Sequence, residues 1–181
     1  MSIPAFAQEG FTEYRSEITT QAIGSFVKST TYNGVTEKAD NSTGVLGTYR
    51  FFFNAHNGVE FNYGYTQNTE KYGSTGIETN SHEVSGAYVF RLPLGRLSPF
   101  ALAGVSGMIF DPKNNSGASN QARAGFLYGG GADFNLSSRI FVRAEYRGFV
   151  YNSPTYDLAS LNGMDRFTHR AEPSVGIGWR F

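Results

Sequence analysis

The sequence predicts an all-β fold, an eight-stranded antiparallel up-and-down transmembrane β-barrel. Three observations lead to this prediction. Several segments alternate between apolar and polar residues with a period of two, which is typical of strands whose two faces have different surroundings. Long and short connections alternate along the chain, and aromatic residues share one strand face while charged residues share the other. The composition agrees, since 22 glycines and 15% aromatic residues accompany only 17% charged residues.

The predicted strands follow from this alternation. Within one of them, Val59, Phe61 and Tyr63 share a face, and Glu60 and Asn62 lie on the other. An earlier strand is needed to complete the set, although its alternation does not assign its faces. Each strand is close to the 9 to 11 residues that cross a bilayer when tilted. The eight segments are 17–29, 44–53, 58–66, 82–92, 99–110, 123–134, 139–151 and 169–181.

The connections between these strands are of two kinds. The short ones consist of turn-forming residues and the long ones are rich in Asn, Ser, Thr and Gly. In an up-and-down meander, this alternation places all long loops at one end of the barrel and both termini with the short turns. Bacterial outer-membrane barrels have the same asymmetry, with the long loops outside the cell. The predicted short turns are 54–58, 93–98 and 135–139, and the predicted long loops are 29–42, 66–81, 111–121 and 152–165.

The aromatic residues decide which face points outward. The interior of an eight-stranded barrel is only just filled by side chains, so a large aromatic set is expected on the lipid side, near strand ends. The alternative is a soluble, lipocalin-like ligand carrier with its apolar face inside. The aromatic residues expected outside are Tyr49, Phe53, Tyr63, Tyr65, Tyr88, Phe100, Tyr128, Phe134, Tyr146, Trp179 and Phe181.

The charged residues of the polar faces predict a salt-bridged lumen. Arg50 and Glu60 lie on adjacent strands joined by a short turn, as do Asp133 and Arg143, so each pair is expected opposite or one diagonal step apart. Charges of both signs can neutralise one another in a closed lumen, whereas the alternative is a solvated face with weak surface pairs. The predicted lumen charge network is Arg50, Glu60, Glu83, Arg91, Arg123, Asp133, Arg143, Glu145, Arg147, Arg170 and Glu172.

The last six residues, GIGWRF, carry a resemblance to a known family. With the alternating strands and loop lengths, they make residues 9–181 similar to the small outer-membrane β-barrel domains of bacteria, the OmpA-like transmembrane class. The resemblance implies a location in the bacterial outer membrane, a monomer surrounded by lipid and lipopolysaccharide, and a C-terminal strand read by the barrel-assembly machinery. Ile177, Trp179 and Phe181 would form that signal, or they belong only to the aromatic girdle.

The N-terminus has one further feature. Ala5, Phe6 and Ala7 have the A-x-A form of a signal-peptidase site, but no basic and apolar regions precede them. Residues 1–8 are therefore interpreted as the remainder of a signal peptide or a disordered N-terminus, and residues 9–181 as the barrel domain.

The sequence predicts no enzyme. Net charge is zero, which gives no support to a nucleic-acid partner, and neither the absent cysteines nor the scattered histidines indicate a metal or another cofactor. Some small outer-membrane barrels modify lipopolysaccharide, but here Glu172 and Ser174 have the opposite strand parity to His169. Eight strands also leave no room for a wide pore. We expect a structural or surface-interaction role, with a lipopolysaccharide-modifying enzyme as the alternative.

Overall fold

The computed structural model describes residues 14–27, 30–32, 35–39, 42–72, 75–113, 121–152 and 167–181. Within these ranges, no helix is long and apolar enough to cross a membrane. The described residues form ten β-strands: β1 (Ser16–Val27), β2 (Thr30–Tyr32), β3 (Val35–Ala39), β4 (Ser42–Phe52), β5 (Asn57–Tyr72), β6 (Thr75–Arg91), β7 (Leu97–Lys113), β8 (Gln121–Asn135), β9 (Ile140–Asn152) and β10 (Phe167–Arg180).

Eight of these strands close into a barrel, which confirms the predicted fold. The order around the wall is β1, β4, β5, β6, β7, β8, β9 and β10, and every neighbouring pair is antiparallel, including the closing pair of β10 with β1. Closure leaves these strands without an open edge, so their backbone groups are paired within the wall.

The strands are strongly staggered around the wall. Following directly opposed residues from Glu17 through each strand in turn leads back to β1 at Val27, and 27 minus 17 gives a shear of ten residues. With eight strands this shear corresponds to a strand tilt of about 40°, in the range expected for membrane barrels. The tilt brings residues from distant parts of the sequence to the same height in the lumen.

The outer face is apolar and aromatic, as predicted, with one correction. Val105 is 69% exposed and Trp179 is 48% exposed on this face. Nine of the eleven aromatic residues predicted outside are exposed, and Tyr65 is half-buried. Phe100 is the exception, because it is only 7% exposed and lies in the lumen. The outward apolar face excludes the soluble carrier.

Three of the predicted long loops are partly strand. The pairing of β5 with β6 continues to Tyr72 and Thr75, within the predicted loop 66–81. Beyond Thr66, β5 no longer pairs with β4 and instead pairs with β3, which in turn pairs with β2. β7 continues to Lys113 beside β6. The predicted loop 152–165 lies outside the described residues except for Asn152, and so does the predicted N-terminal segment 1–8.

We call the strand portions beyond the closed wall the external sheet: β2, β3 and residues 67–72, 75–80 and 111–113. Six residues of β5 beyond Thr66 rise about 15 Å along the barrel axis at the estimated tilt. This sheet stands at the end opposite the short turns.

Candidate functional site

Buried charges fill the half of the lumen near the short turns. We call the following residues the lower cluster: Glu17, Arg50, Glu60, Arg91, Asp133, Arg143, Glu145 and Arg180. Glu17 is its centre, since its carboxylate accepts from Arg143 Nη2 at 3.1 Å, from Arg180 Nε at 2.8 Å and from Arg91. Arg143 also binds Asp133 through two hydrogen bonds of 2.6 and 2.9 Å. The four arginines balance the four carboxylates.

A second set of buried charges lies further up the lumen. This upper cluster consists of Glu83, Arg147, Arg170 and Glu172, again equal in positive and negative groups. Arg147 donates to both carboxylate oxygens of Glu83, at 2.9 and 3.0 Å, and also pairs with Glu172. Arg170 pairs with Glu172 and donates to Thr66 Oγ1 at 3.0 Å. All four side chains are at most 3% exposed, so the pairs are desolvated.

The sheet register accounts for part of this pairing. Arg50 is directly opposite Glu60, and Asp133 is directly opposite Arg143. Arg147 on β9 is also directly opposite Glu172 on β10. Other pairs cross the lumen between strands that are not neighbours, such as Arg147 on β9 with Glu83 on β6. Those contacts depend on barrel closure.

Neutral polar side chains connect the two clusters. Asn62 Nδ2 donates to Glu60 Oε1 of the lower cluster at 2.6 Å and to Ser85 Oγ at 3.2 Å. Ser85 Oγ in turn donates to Glu83 Oε1 of the upper cluster at 2.8 Å. Thr48 Oγ1 donates to Asn62 Oδ1 at 2.7 Å. Hydrogen bonds through Asn62 and Ser85 therefore join Glu60 of the lower cluster to Glu83 of the upper cluster.

Phenylalanine rings lie among the charged groups of the lumen. Arg50 lies over the ring of Phe100, with 3.9 Å between the guanidinium carbon and the ring centroid, and Arg91 lies over Phe52 at 3.7 Å. Such cation–π contacts give a buried guanidinium group a second favourable neighbour besides its carboxylate. Phe100 thus lies inside, in contact with Arg50, although most aromatic residues lie outside.

Glycines on the lumen face make room for these rings. A Cβ atom at Gly131 would lie 2.9 Å from Phe100 Cζ and 2.8 Å from the Cα of Glu145. At Gly129, where the sequence predicts space for long side chains, a Cβ would lie 3.4 Å from Leu102 Cδ1. The nearest atoms to both positions are backbone oxygens of β9, those of Ala144 and Tyr146, so the glycines allow a close approach of this strand as well as room for apolar side chains.

The structure places the predicted network residues in the lumen, with one at its upper end. Arg123 is half-buried near the start of β8, above both clusters. Sequence reasoning missed Glu17, because the faces of the first strand were not assigned. The polar linkers Asn62 and Ser85 were also missed as site residues, although their strand parity already placed them with the charges.

His169 lies apart from these clusters. His169 is half-buried, and its Nε2 is 2.6 Å from the hydroxyl of Tyr128, which passes over Gly148 on the intervening strand. Glu172 and Ser174 are buried on the lumen side of the same strand as His169, so the three groups do not form a catalytic set. Among the described residues, no group of His, Cys, Asp and Glu is arranged to hold a metal ion.

The C-terminal strand presents its predicted signal residues on the outer face. Ile177 is 56% exposed, Trp179 is 48% exposed and Phe181 is 58% exposed. The strand is held on both sides, by β9 and by β1.

Comparisons with known proteins agree with this architecture. A family model described as outer membrane protein beta-barrel domain matches residues 1–181. A 25 kDa outer-membrane immunogenic protein of Brucella canis is 30% identical over 88 residues, which cover 49% of this chain and 41% of that protein. The match therefore spans less than half of that relative's length.

Solved structures show the same fold. Ail, the attachment invasion locus protein of Yersinia pestis, has a TM-score of 0.61 at 21% identity, covering 93% of this chain and 99% of Ail. Neisserial surface protein A has a TM-score of 0.69 at 12% identity, covering 92% of this chain and 97% of that protein.

Proposed function

Because the chain belongs to the family of outer membrane protein β-barrel domains, we propose that it is a monomeric barrel that presents the external sheet at the bacterial surface. The observation that carries this proposal is the length of β5, β6 and β7, which have 16, 17 and 17 residues. These three strands exceed the length needed to cross the bilayer and continue as paired sheet beyond the wall.

A surface-contact role fits this arrangement. The β2–β3 hairpin adds to the extended part of β5, so the sheet broadens where it leaves the wall. Ail, whose barrel has a similar fold, was crystallised in complex with a heparin analogue, sucrose octasulfate. In our proposal, the external sheet of this chain contacts molecules outside the cell.

The proposal includes a passive barrel without a catalytic centre. It is supported by the separation of His169 from Glu172 and Ser174, which lie on opposite faces of β10, and by a lumen occupied by balanced ion pairs. Expression should leave the acyl composition of lipopolysaccharide unchanged in mass spectra. A changed acyl pattern would indicate the alternative, a lipopolysaccharide-modifying enzyme.

We also propose that Ile177, Trp179 and Phe181 are read by the barrel-assembly machinery. Their exposure on the terminal strand supports this role, since an incoming strand must offer its outer side chains before the wall closes.

The orientation can be tested because the chain contains no cysteine. Ser74→Cys, between β5 and β6, should react with a membrane-impermeant maleimide on intact cells. Ser137→Cys, in the short turn before β9, is the matched control and should react only after the outer membrane is permeabilised. Labelling of Ser137→Cys but not Ser74→Cys on intact cells would contradict the proposal.

A further inference from the structure

Buried hydroxyl groups form a row across the end of the lumen nearest the external sheet. Ser25 on β1 is directly opposite Ser42 on β4, and Thr66 on β5 is directly opposite Ser81 on β6. Thr66 is also opposite Gly44, so Ser42 lies one diagonal step from it on the same face. We call Ser25, Ser42, Thr66 and Ser81 the hydroxyl row. All four side chains are at most 9% exposed.

Arg170 of the upper cluster lies across two strands of this row. It starts on β10, and its Nη2 donates to Thr66 Oγ1 at 3.0 Å on β5. Because β1 and β4 separate β10 from β5 in the wall, the side chain extends across their lumen faces. It is 2% exposed. A buried guanidinium group therefore faces the two strands that carry Ser25 and Ser42.

Several of these groups have hydrogen-bonding capacity that the neighbouring side chains do not use. Within the described part of the chain, the buried atoms Ser25 Oγ, Ser42 Oγ, Ser81 Oγ and Arg170 Nε have no hydrogen-bond partner. Native structures rarely leave several buried polar groups unpaired in one place, because each unpaired group loses its hydration without compensation. The arrangement therefore indicates a ligand that accepts hydrogen bonds from hydroxyl and guanidinium groups.

The charge of the upper lumen indicates that this ligand is an anion. Arg147 binds both Glu83 and Glu172, and Arg170 also binds Glu172, so both carboxylates are already neutralised. Arg123 is half-buried at the upper end of the lumen and adds a third arginine. The described side chains of the upper lumen thus carry three positive and two negative charges, whichever group Arg123 contacts. One further negative charge balances them.

We propose that the hydroxyl row and Arg170 bind one small monovalent anion, such as chloride. Serine hydroxyls donate to anions, and Arg170 Nε contributes a charge-assisted hydrogen bond. A halide suits the site because the hydroxyl side chains are nearly inaccessible to solvent, which excludes a large organic anion. The ion joins side chains from β1, β4, β6 and β10, so its binding stabilises the folded barrel.

The position of the ion can be tested by crystallography with bromide in place of chloride. Crystals of the protein soaked in sodium bromide should show an anomalous-scattering peak inside the upper lumen. The peak should lie within about 3.5 Å of Arg170 Nε and of at least one serine hydroxyl of the row. Bromide peaks on the protein surface without one in the upper lumen would overturn the proposal.

The energetic test compares serine variants of the protein refolded into lipid vesicles. Sodium chloride replaces sodium gluconate at constant ionic strength, and urea unfolding is followed by the fluorescence of Trp179, the only tryptophan. The unsubstituted protein should become more stable as chloride rises, which gives an apparent Kd. S42A/S81A should raise this Kd about tenfold for each lost hydrogen bond.

The matched control is S106A on β7. It removes another buried hydroxyl that has no hydrogen-bond partner among the described residues. Ser106 lies four residues below Phe110, which is the residue opposite Ser81, so it is outside the hydroxyl row. S106A should therefore leave the chloride response unchanged. Heat-dependent gel mobility verifies that each variant is folded.

Three results of the unfolding experiment would overturn the proposal. One is equal stability of the unsubstituted protein in chloride and in gluconate. Another is a chloride response of S42A/S81A that equals that of S106A. The third is a gain in stability of S42A/S81A that does not depend on chloride, because the serine hydroxyls would then destabilise the lumen without serving a ligand.

Discussion

Replacing Arg147 by methionine should strongly destabilise the barrel. The side chain is fully buried, donates two hydrogen bonds to Glu83 and pairs with Glu172. Arg147→Met changes the charge of the upper cluster from zero to minus one and leaves Arg170 as its only cation. Removing one partner of a buried ion pair typically costs about 3–5 kcal/mol. We therefore expect the free energy of unfolding to fall by that amount.

The assay is reversible urea unfolding of the protein refolded into lipid vesicles, followed by Trp179 fluorescence and by mobility on unheated SDS gels. The matched control is Arg96→Met, which removes the same group from an exposed turn and should change the free energy of unfolding by less than about 0.5 kcal/mol. A double substitution, Arg147→Met with Glu83→Gln, restores neutrality and should recover most of the loss.

The reasoning is refuted if Arg147→Met is no more destabilising than Arg96→Met. That result would mean that water solvates the upper cluster and that its ion pairs are screened as on a protein surface. A double variant that is less stable than Arg147→Met alone would also contradict the importance of charge balance.

Three further predictions concern other parts of the barrel. Gly176→Ala should lower the free energy of unfolding by about 1–3 kcal/mol, because its Cβ would overlap the backbone oxygen of Thr20 on β1. Gly47→Ala is the control and should be tolerated, because the backbone oxygen nearest to its Cβ is 3.9 Å away. Equal urea midpoints for the two variants would contradict this prediction. Phe181→Ala should reduce the fraction of the protein in cell envelopes that shows heat-dependent gel mobility, and the reduction should exceed that of Phe134→Ala, which removes an exposed aromatic side chain at the same end. Equal folded fractions for the two variants would argue against an assembly signal. Planar bilayers with verified insertion should show no steady conductance, since the lumen is filled by side chains; reproducible channel steps would show an open path.

The sequence predicts the barrel wall well because each wall strand separates lipid from a polar lumen. That contrast produces the alternation around Glu60 and Arg143. With the short turns, the alternation also predicts their directly opposed partners, Arg50 and Asp133. The same argument explains why the external sheet was predicted as loop. Beyond Thr66 both faces of β5 leave the bilayer, so the apolar and polar periodicity that identifies a strand is lost.

Lumen contacts across the barrel could not be predicted in the same way. The pair of Glu83 and Arg147 joins strands that are not neighbours, and it depends on the ten-residue shear, which no local pattern encodes. Phe100 was placed on the wrong face because both faces of its strand are apolar, and the face with the larger side chains was taken as the outer one, although its members Phe100, Leu102 and Met108 are buried. The stacking of arginines on phenylalanine rings is also invisible until the wall closes.

The lower cluster has a consequence for the order of folding events. Glu17 and Arg180 are 163 residues apart, yet they meet at the seam between the first and last strands. Until that seam forms, the carboxylate of Glu17 is separated from one of its cations, and an incompletely closed sheet keeps these groups in water. Their desolvation and their neutralisation then occur in a single late step. We therefore expect seam closure to be the cooperative, rate-limiting event. Its free-energy barrier then includes the entropy cost of bringing the two ends of the chain together.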